Sequence, residues 1–459
     1  MKKVLLVKPY NRSDHIQPSL GLGWLATNIR NLCEVKIFDS IKEKANEEKI
    51  LNFIDDYKPD IIGFQCYTFD IYNIKSILKK IKEKYNKKIT TIIGGPHPTL
   101  AREECFNFFG DLLDYFFIGE AEIGLKKYLE GAKYDEIPGF AYRENNIFKI
   151  NPQLFHQNID DFGMPAWDLI HPETYPEAQH GAFFENFPIA PIMITRGCPF
   201  KCTFCAGNKI SGSAVRFRSI QNVIQEMKML YYDYGIREFH IVDDNFIINK
   251  NYAVELLKSF KNIGFKFSWA TPNGVRMDSL NEEILSLMKE TGLYLISLGI
   301  ESGDDRILKF MKKSLTVKKI KEKINLIKKF DIDIAGFFIL GFPTETKKEI
   351  FKTINLSLKL PLKRVNYFTF LPFPGTESYN YILQEKKIDK IDWQNFFFMN
   401  AAYVPDGMTR KQLKNYQRLA FFRFYFRWNI FLYNLFKIKN FRHFKFLVKR
   451  FINWIIKSK

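Results

Sequence analysis

The sequence has no run of eighteen apolar residues free of charge anywhere along its 459 positions, whereas a bilayer-spanning helix needs about twenty. No targeting segment is visible either. Met1-Lys2-Lys3 leads straight into Val4-Leu5-Leu6-Val7, a short strand rather than the apolar region of a leader. Cysteine is scarce, at 6 residues, so the expected setting is reducing and cytoplasmic, with thiols serving metal chemistry rather than disulfides. One region lacks acid: from Gly407 to Lys459 there are 14 Lys or Arg and no Asp or Glu. The net charge of +19 is therefore a property of the tail, because the preceding residues carry 55 basic against 50 acidic side chains. An acid-free basic stripe could serve RNA, but no RNA-binding fold signature accompanies it, so nucleic acid is a disfavoured partner.

What is present reads as α/β in two or three domains. In residues 1–136, Val4–Val7, Val35–Phe38, Ile61–Phe64 and Thr90–Ile93 are continuous apolar strands. They alternate with helical stretches such as the lysine-rich Ile71–Tyr85. This predicts a doubly wound, Rossmann-like parallel sheet. Its ligand loops lie at the carboxyl ends of the strands: Lys8–Leu20, Gln65–Asp70 with Thr68, Gly94–Thr99 and Gly119–Gly124. Residues 137–190 hold a hairpin-like stretch turning at Asn145-Asn146, then the Pro/Gly/Asp-rich Asp160–Leu169, and read as a linker. Residues 191–384 hold six strand–helix units: Ile192–Thr195, Glu238–Val242, Phe267–Thr271, Tyr294–Gly299, Asp333–Leu340 and Arg364–Leu371 are the strands. Six units fit a partial (β/α)6 TIM-type barrel, with chemistry at the carboxyl ends. Residues 385–459 form a small helical region, basic and aromatic.

Inside the barrel's first turn lies Cys198-Pro-Phe-Lys-Cys202-Thr-Phe204-Cys205, after Thr195-Arg196-Gly197. Three thiols cannot close a structural zinc site, which takes four ligands. They can hold three irons of a [4Fe–4S] cluster and leave the fourth open. The Cys-x3-Cys-x2-Cys spacing, with Phe204 before the last cysteine, resembles the signature of the radical S-adenosylmethionine (SAM) enzymes. That resemblance implies that SAM chelates the open iron and is cleaved to a 5′-deoxyadenosyl radical. Electrons would then come from an external one-electron reductant of flavodoxin or ferredoxin type.

The first segment adds Pro18-Ser-Leu-Gly21-Leu-Gly23, Gly94-Gly95-Pro96-His97-Pro98-Thr99 and Gly119-Glu120-Ala121-Glu122. Together these resemble the cobalamin (B12)-binding domain of the B12-dependent radical SAM class, a class that includes methyltransferases and anaerobic cyclases. The resemblance implies cobalamin contacts at Thr68, Gly94, Gly95, His97, Gly119, Glu120 and Glu122. The Asp-x-His-x-x-Gly pattern of classical cobalamin domains is missing, since Asp14 and His15 are adjacent. Cys33, Cys66 and Cys105 leave a rival open, because methylthiotransferases hold a second cluster on three N-terminal cysteines; ordinary buried thiols are the alternative.

In the barrel, Asp243-Asp244 ends the second strand and either caps a helix or, as the resemblance implies, takes the SAM ammonium. Gly299-Ile-Glu301-Ser-Gly303 ends the fourth, and its carboxylate suits ribose hydroxyls. Gly341 in Leu340-Gly-Phe-Pro343 is placed to contact adenine or simply to turn the chain. Arg216 or Arg218 is the candidate for the SAM carboxylate. In the tail, Phe441, Phe444, Val448, Phe451, Ile452 and Ile455 share a helical face, with Arg442, Lys445 and Lys449 on the opposite side. Together with Trp454, residues 437–459 suit peripheral contact with an anionic membrane, or else pack their aromatics on the barrel. The whole predicts methyl transfer to an unactivated carbon of a small-molecule or lipid substrate. Cyclisation, methylthio transfer and a non-enzymatic redox sensor are the alternatives.

Overall fold

A computed structural model describes residues 1–11, 16–86, 88–145, 147–177, 179, 183–386, 393–394 and 396–457, excepting the side chains of 453–457. Asp14, His15 and Asn146, and the side chains of Trp454 and Ile455, lie outside the described residues. The chain forms two compact units. The first comprises Met1–Pro176, Arg196–Pro199 and Ala206–Ser219; the second comprises Glu177–Thr195, Phe200–Cys205 and Ile220–Lys459.

The first unit runs β1 (Lys3–Lys8), α1 (Leu20–Ile29), β2 (Glu34–Asp39), α2 (Glu47–Tyr57), β3 (Ile61–Gln65), α3 (Ile71–Tyr85), β4 (Thr90–Gly94), α4 (Pro96–Ala101), α5 (Glu103–Phe109), β5 (Tyr115–Phe117), α6 (Glu122–Glu130), β6 (Phe140–Glu144) and β7 (Ile147–Ile150). The sheet order is β2-β1-β3-β4-β5-β6-β7. The first five strands are parallel, as their unbroken apolar runs require. β6 and β7 add an antiparallel pair to the edge, so Phe140–Glu144 and Ile147–Ile150, read from sequence as linker, extend this sheet. After them comes α7 (Trp167–Ile170). The segment leading into it is laced to α1: Trp24 Nε1 donates to Gly163 O at 3.0 Å and Asn28 Nδ2 to Phe162 O at 3.1 Å. Gly23 is the close-approach point, since a Cβ there would lie 2.7 Å from Ile170 and 2.8 Å from Pro165.

The rest of the chain holds β8 (Ile189–Ile192), β9 (Thr195–Arg196), α8 (Gly207–Ile210), β10 (Arg216–Phe217), α9 (Ile220–Asp233), β11 (Glu238–Ile241), α10 (Lys250–Lys261), β12 (Ser268–Val275), α11 (Glu282–Glu290), β13 (Leu293–Glu301), α12 (Asp305–Phe310), α13 (Val317–Lys328), β14 (Asp333–Leu340), α14 (Lys347–Lys359), β15 (Arg364–Thr369), α15 (Glu377–Lys386), α16 (Arg410–Tyr425), α17 (Trp428–Phe436) and α18 (Phe441–Lys457). Strands β8, β11, β12, β13, β14 and β15 neighbour one another in that order and are all parallel, giving the six-stranded barrel sheet. The first barrel strand ends at Ile192, three residues before the end expected from sequence, because the Asp243 carboxylate takes the next backbone donors: Ile194 N–H at 2.8 Å and Thr195 N–H at 2.5 Å.

An open sheet leaves an edge, and here α16 covers it. Tyr425 Oη donates to Val365 O at 2.8 Å and accepts Val365 N–H at 3.1 Å, while Gln417 Nε2 donates to Tyr367 O at 2.6 Å. Helices α17 and α18 attach at the amino ends of the strands. Tyr433 hydrogen-bonds Asp333, the first residue of β14, and Lys439 pairs with Glu185 at 3.0 Å. Helix α18 docks through His443 and Phe446, against Phe184 and Ile189. Phe441, Phe444, Val448 and Ile452 are exposed, so the alternative in which they pack on the barrel is not the one adopted. Among the described residues no helix is long and apolar enough to cross a membrane.

Candidate active site

The cysteine loop is shaped by Gly197, whose φ of +102° would strain any other residue. A Cβ there would sit 2.2 Å from Ala214 O. Cys198 N–H donates to Gly212 O at 3.0 Å, fixing the first thiol on the backbone of the return segment. The other two cysteines belong to the second unit, where Thr203 N–H donates to Met311 O at 3.0 Å and Ser378 N–H to Thr203 O at 2.9 Å. Phe204 packs into the cluster of Ile307, Met311, Phe342 and Phe370, edge-on to Phe342 with centroids 6.3 Å apart. The aromatic before the last cysteine thus anchors the loop, and its neighbour Cys205 is exposed.

Two cations that sequence reasoning missed stand beside this loop. Arg276 Nη1 lies 3.8 Å from Cys202 Sγ, and its guanidinium stacks over Phe200 at 3.6 Å. Its orientation is set by Asp278 at 2.8 Å and Lys313 O at 2.9 Å. Lys313 Nζ pairs with Glu301 Oε1 at 2.8 Å, both side chains being buried. Burial alone would lower the lysine, but the Glu301 carboxylate and then Cys202 outweigh it and hold the ammonium above its ordinary range. Gly299 makes the pairing possible: a Cβ there would fall 2.4 Å from Glu301 Oε1 and 2.7 Å from Lys313 Nζ. Glu301 itself has φ +63°, a conformation seldom adopted by a residue with a side chain and concentrated at functional sites.

The adjacent aspartates divide their roles. Asp243 is buried and fully engaged, with Thr195 Oγ1 donating to it at 2.6 Å besides the two backbone donors. Asp243 therefore positions the start of the cysteine loop, and its neighbour Asp244 is exposed. Gly341, at φ +77°, abuts α16, where a Cβ would meet Leu413 at 2.5 Å. Its N–H donates to Glu345 Oε2 at 2.6 Å.

In the first unit, Arg216 is held by a bidentate pair to Glu120, at 2.7 and 2.6 Å, and donates to His156 O and Ser211 O. Arg196, also missed from sequence, pairs with Glu122 at 2.8 Å and stacks over Trp24 and Phe162. Thus Glu120 and Glu122, expected at cobalamin, and Arg216, expected at SAM, instead form an ion-pair network. It clamps the residues just before Cys198 and those returning after Cys205. Arg218 is buried. The signal that could have found the clamp is Arg196 itself, an arginine immediately before the loop glycine.

The loops at the carboxyl ends of the first sheet are joined to one another. His97 is buried, its Nδ1 is 3.1 Å from Thr68 Oγ1, and its N–H donates to Cys66 O at 3.0 Å. Burial pulls its pKa down to about 3, so the ring is neutral. It acts as the cap of this loop. Gly119 N–H donates to Thr99 Oγ1 at 2.9 Å. At Gly95, with φ +110°, a Cβ would lie 3.2 Å from Cys66 O, whereas at Gly94 it would make ordinary contact with Phe117 Cβ at 4.0 Å. Cys33, Cys66 and Cys105 are buried, and burial pushes their thiols up, Cys33 to about 11. Their burial is that of ordinary core thiols.

The donor set fits an iron–sulfur cluster. Cys198, Cys202 and Cys205 are outside any disulfide among the described residues and partly or fully exposed, with a guanidinium at one sulfur. Among the described residues no three Cys, His, Asp or Glu side chains already form a metal-binding group, so the fit lies in the donor chemistry and the irregular backbone. For a corrin, what the strand ends offer is backbone without side chains at Gly94, Gly95 and Gly119, where a Cβ at Gly95 or Gly119 would meet Cys66 O or Gln153 of the chain itself.

Comparison with known proteins agrees. The radical SAM superfamily matches residues 192–357 and the B12 binding domain matches residues 11–129. The chain is 30% identical to an uncharacterized methyltransferase of Pyrococcus horikoshii, over 99% of this chain and 98% of that protein. It is 27% identical to the cytidylyl-2-hydroxyethylphosphonate methyltransferase of Streptomyces wedmorensis, over 84% and 83%. The solved structure of the cobalamin-dependent S-adenosylmethionine radical enzyme OxsB superposes with a TM-score of 0.76 at 17% identity, over 100% of this chain and 72% of that one, a likeness of fold.

Proposed function

Because the chain belongs to the radical SAM superfamily, in the branch that carries a B12-binding domain, we propose that it transfers a methyl group to an unactivated carbon of a small, lipid-like molecule. The observation carrying this reading is the Cys198–Cys202–Cys205 set, partly or fully exposed, with Arg276 at 3.8 Å from Cys202 Sγ. When bound, the cluster with SAM would supply the hydrogen-abstracting radical, and cobalamin would supply the methyl group. The protein's part is to hold and orient. In this reading the three cysteines hold the cluster and Phe204 keeps their loop in register. Asp244 takes the SAM ammonium, Arg276 or Lys313 its carboxylate, and Glu301 its ribose hydroxyls. Gly94, Gly95 and Gly119 let backbone approach the corrin closely. A flavodoxin- or ferredoxin-type protein delivers the electrons. The acid-free tail supports a membrane-borne substrate and peripheral contact through residues 437–459.

The test is anaerobic reconstitution followed by measurement of iron, cobalt, 5′-deoxyadenosine and methyl transfer from labelled SAM to candidate acceptors. Expected are about four irons per chain, bound cobalt, and 5′-deoxyadenosine formation that Cys202→Ala abolishes. Turnover undiminished in that variant would refute the assignment, and label-free product would turn it toward cyclisation.

A further inference from the structure

The carboxy-terminal helices are apolar on the outside. In α17 the inward face is Ile430, 2% exposed, and Tyr433 bound to Asp333. The outward face is Trp428, Phe431, Leu432, Leu435 and Phe436, at i, i+3, i+4, i+7 and i+8; Trp428 is 76% exposed and Phe436 82%. A stripe at that spacing ordinarily faces a core. Helix α18 repeats the inversion, docking through His443 and Phe446 while Phe441, Phe444, Val448 and Ile452 point outward. Two consecutive helices with such stripes set a run of large apolar side chains in solvent, and contiguous patches of that kind mark interaction sites.

Charge selects the occupant. Arg442, Lys445 and Lys449 of α18 are exposed as well, and no acidic residue follows Asp406. A second copy docked symmetrically would set this cationic patch against itself with nothing to neutralise it. An anionic bilayer surface matches both features: aromatic side chains belong at the boundary between headgroups and acyl chains, and each Lys or Arg near lipid phosphate adds to the attraction.

We propose that α17 and α18 together form a docking face for an anionic membrane surface. This rests on the reading that the substrate is membrane-borne, and it moves the contact to begin at Trp428, ahead of the residues indicated by sequence. The face lies at the amino ends of the barrel strands, where Tyr433 and Lys439 anchor it. Docking therefore leaves Glu301, at a carboxyl end, uncovered, and a lipid-borne acceptor must be lifted from the bilayer rather than slide along it.

The test is co-sedimentation of the full-length holoprotein with vesicles of phosphatidylcholine alone or mixed with phosphatidylglycerol. The wild type should pellet with the anionic vesicles and far less with the neutral ones. Trp428→Glu with Phe436→Glu should weaken that binding at least about tenfold, from lost burial of two aromatic side chains. Lys445→Glu with Lys449→Glu should remove the preference for anionic lipid. Both variants should form 5′-deoxyadenosine at the wild-type rate without vesicles, which certifies their fold. Unchanged pelleting in both variants would overturn the proposal. So would a wild-type dimer that fails to pellet and that Trp428→Glu with Phe436→Glu splits. Absence of SAM cleavage in a wild type that still pellets would count against the catalytic reading alone.

Discussion

Replacing Asp243 with asparagine probes the anchor of the cysteine loop. Its carboxylate accepts from Ile194 N–H at 2.8 Å, Thr195 N–H at 2.5 Å and Thr195 Oγ1 at 2.6 Å. Asparagine has one acceptor oxygen, so in either orientation its amide NH2 meets a backbone N–H. The orphaned donor costs about 1–3 kcal/mol. A second effect depends on pH. Burial lifts Asp243 from 3.8 to about 7, with the Thr195 and Ile194 donors opposing the shift. Between those values the unfolded chain has released the proton that the folded chain keeps. Stability from this group is therefore complete below about 4 and is lost as pH rises through 7, at about 1.4 kcal/mol per unit. Asparagine does not titrate. The stability difference between wild type and Asp243→Asn should thus shrink by about 2–3 kcal/mol from pH 5 to 7 and level off above. Asp70 and Glu345, which burial raises to about 7 and about 8, titrate alike in both proteins and cancel. Urea unfolding followed by far-UV circular dichroism at pH 5, 6, 7 and 8, under anaerobic conditions, measures the difference. A constant gap across that range would show that burial does not raise Asp243, and the pH argument would fail with it.

Gly197→Ala should cost about 1–3 kcal/mol of local strain and drive its Cβ against Ala214 O; iron and sulfide content after reconstitution should fall sharply, while Gly235→Ala, also at positive φ but with nothing within 4 Å, leaves them unchanged. Glu301→Gln removes the partner that outweighs burial at Lys313, so the lysine should titrate lower, visible in its reactivity toward amine reagents, and SAM affinity should drop about tenfold or more. Tyr425→Phe deletes both hydrogen bonds to Val365 on the edge strand and should cost about 1–2 kcal/mol, read as a lower urea midpoint with 5′-deoxyadenosine formation intact.

Sequence patterns reached the elements whose signal is local. Ile71–Tyr85 and Asp333–Leu340 coincide with α3 and β14 because apolar spacing reports a buried face directly. Cys198, Cys202 and Cys205 are within eight residues of one another, so their grouping is visible in the chain. Partners brought together by folding are not. Arg276 stands 74 residues from Cys202, and Arg216 stands 96 from Glu120, with no feature of either stretch naming the other. Arg276 is reached only because β12 continues past Thr271 through Gly274, at φ +92°, a bend that carries the chain on to the cysteine loop. The tail shows a different limit. Its stripes are evident from spacing, but spacing does not say which way a helix is turned. That is decided by polar residues on the other face: Tyr433 finds Asp333, Lys437 and Lys439 find Glu185, and His443 packs against Phe183 and Phe184. Once those contacts, with Ile430 and Phe446, hold α17 and α18, the stripes running from Trp428 to Phe436 and from Phe441 to Ile452 face outward. An amphipathic pattern thus tells that a face requires a partner, and only the anchoring residues on the opposite face reveal that the partner is not the chain's own core.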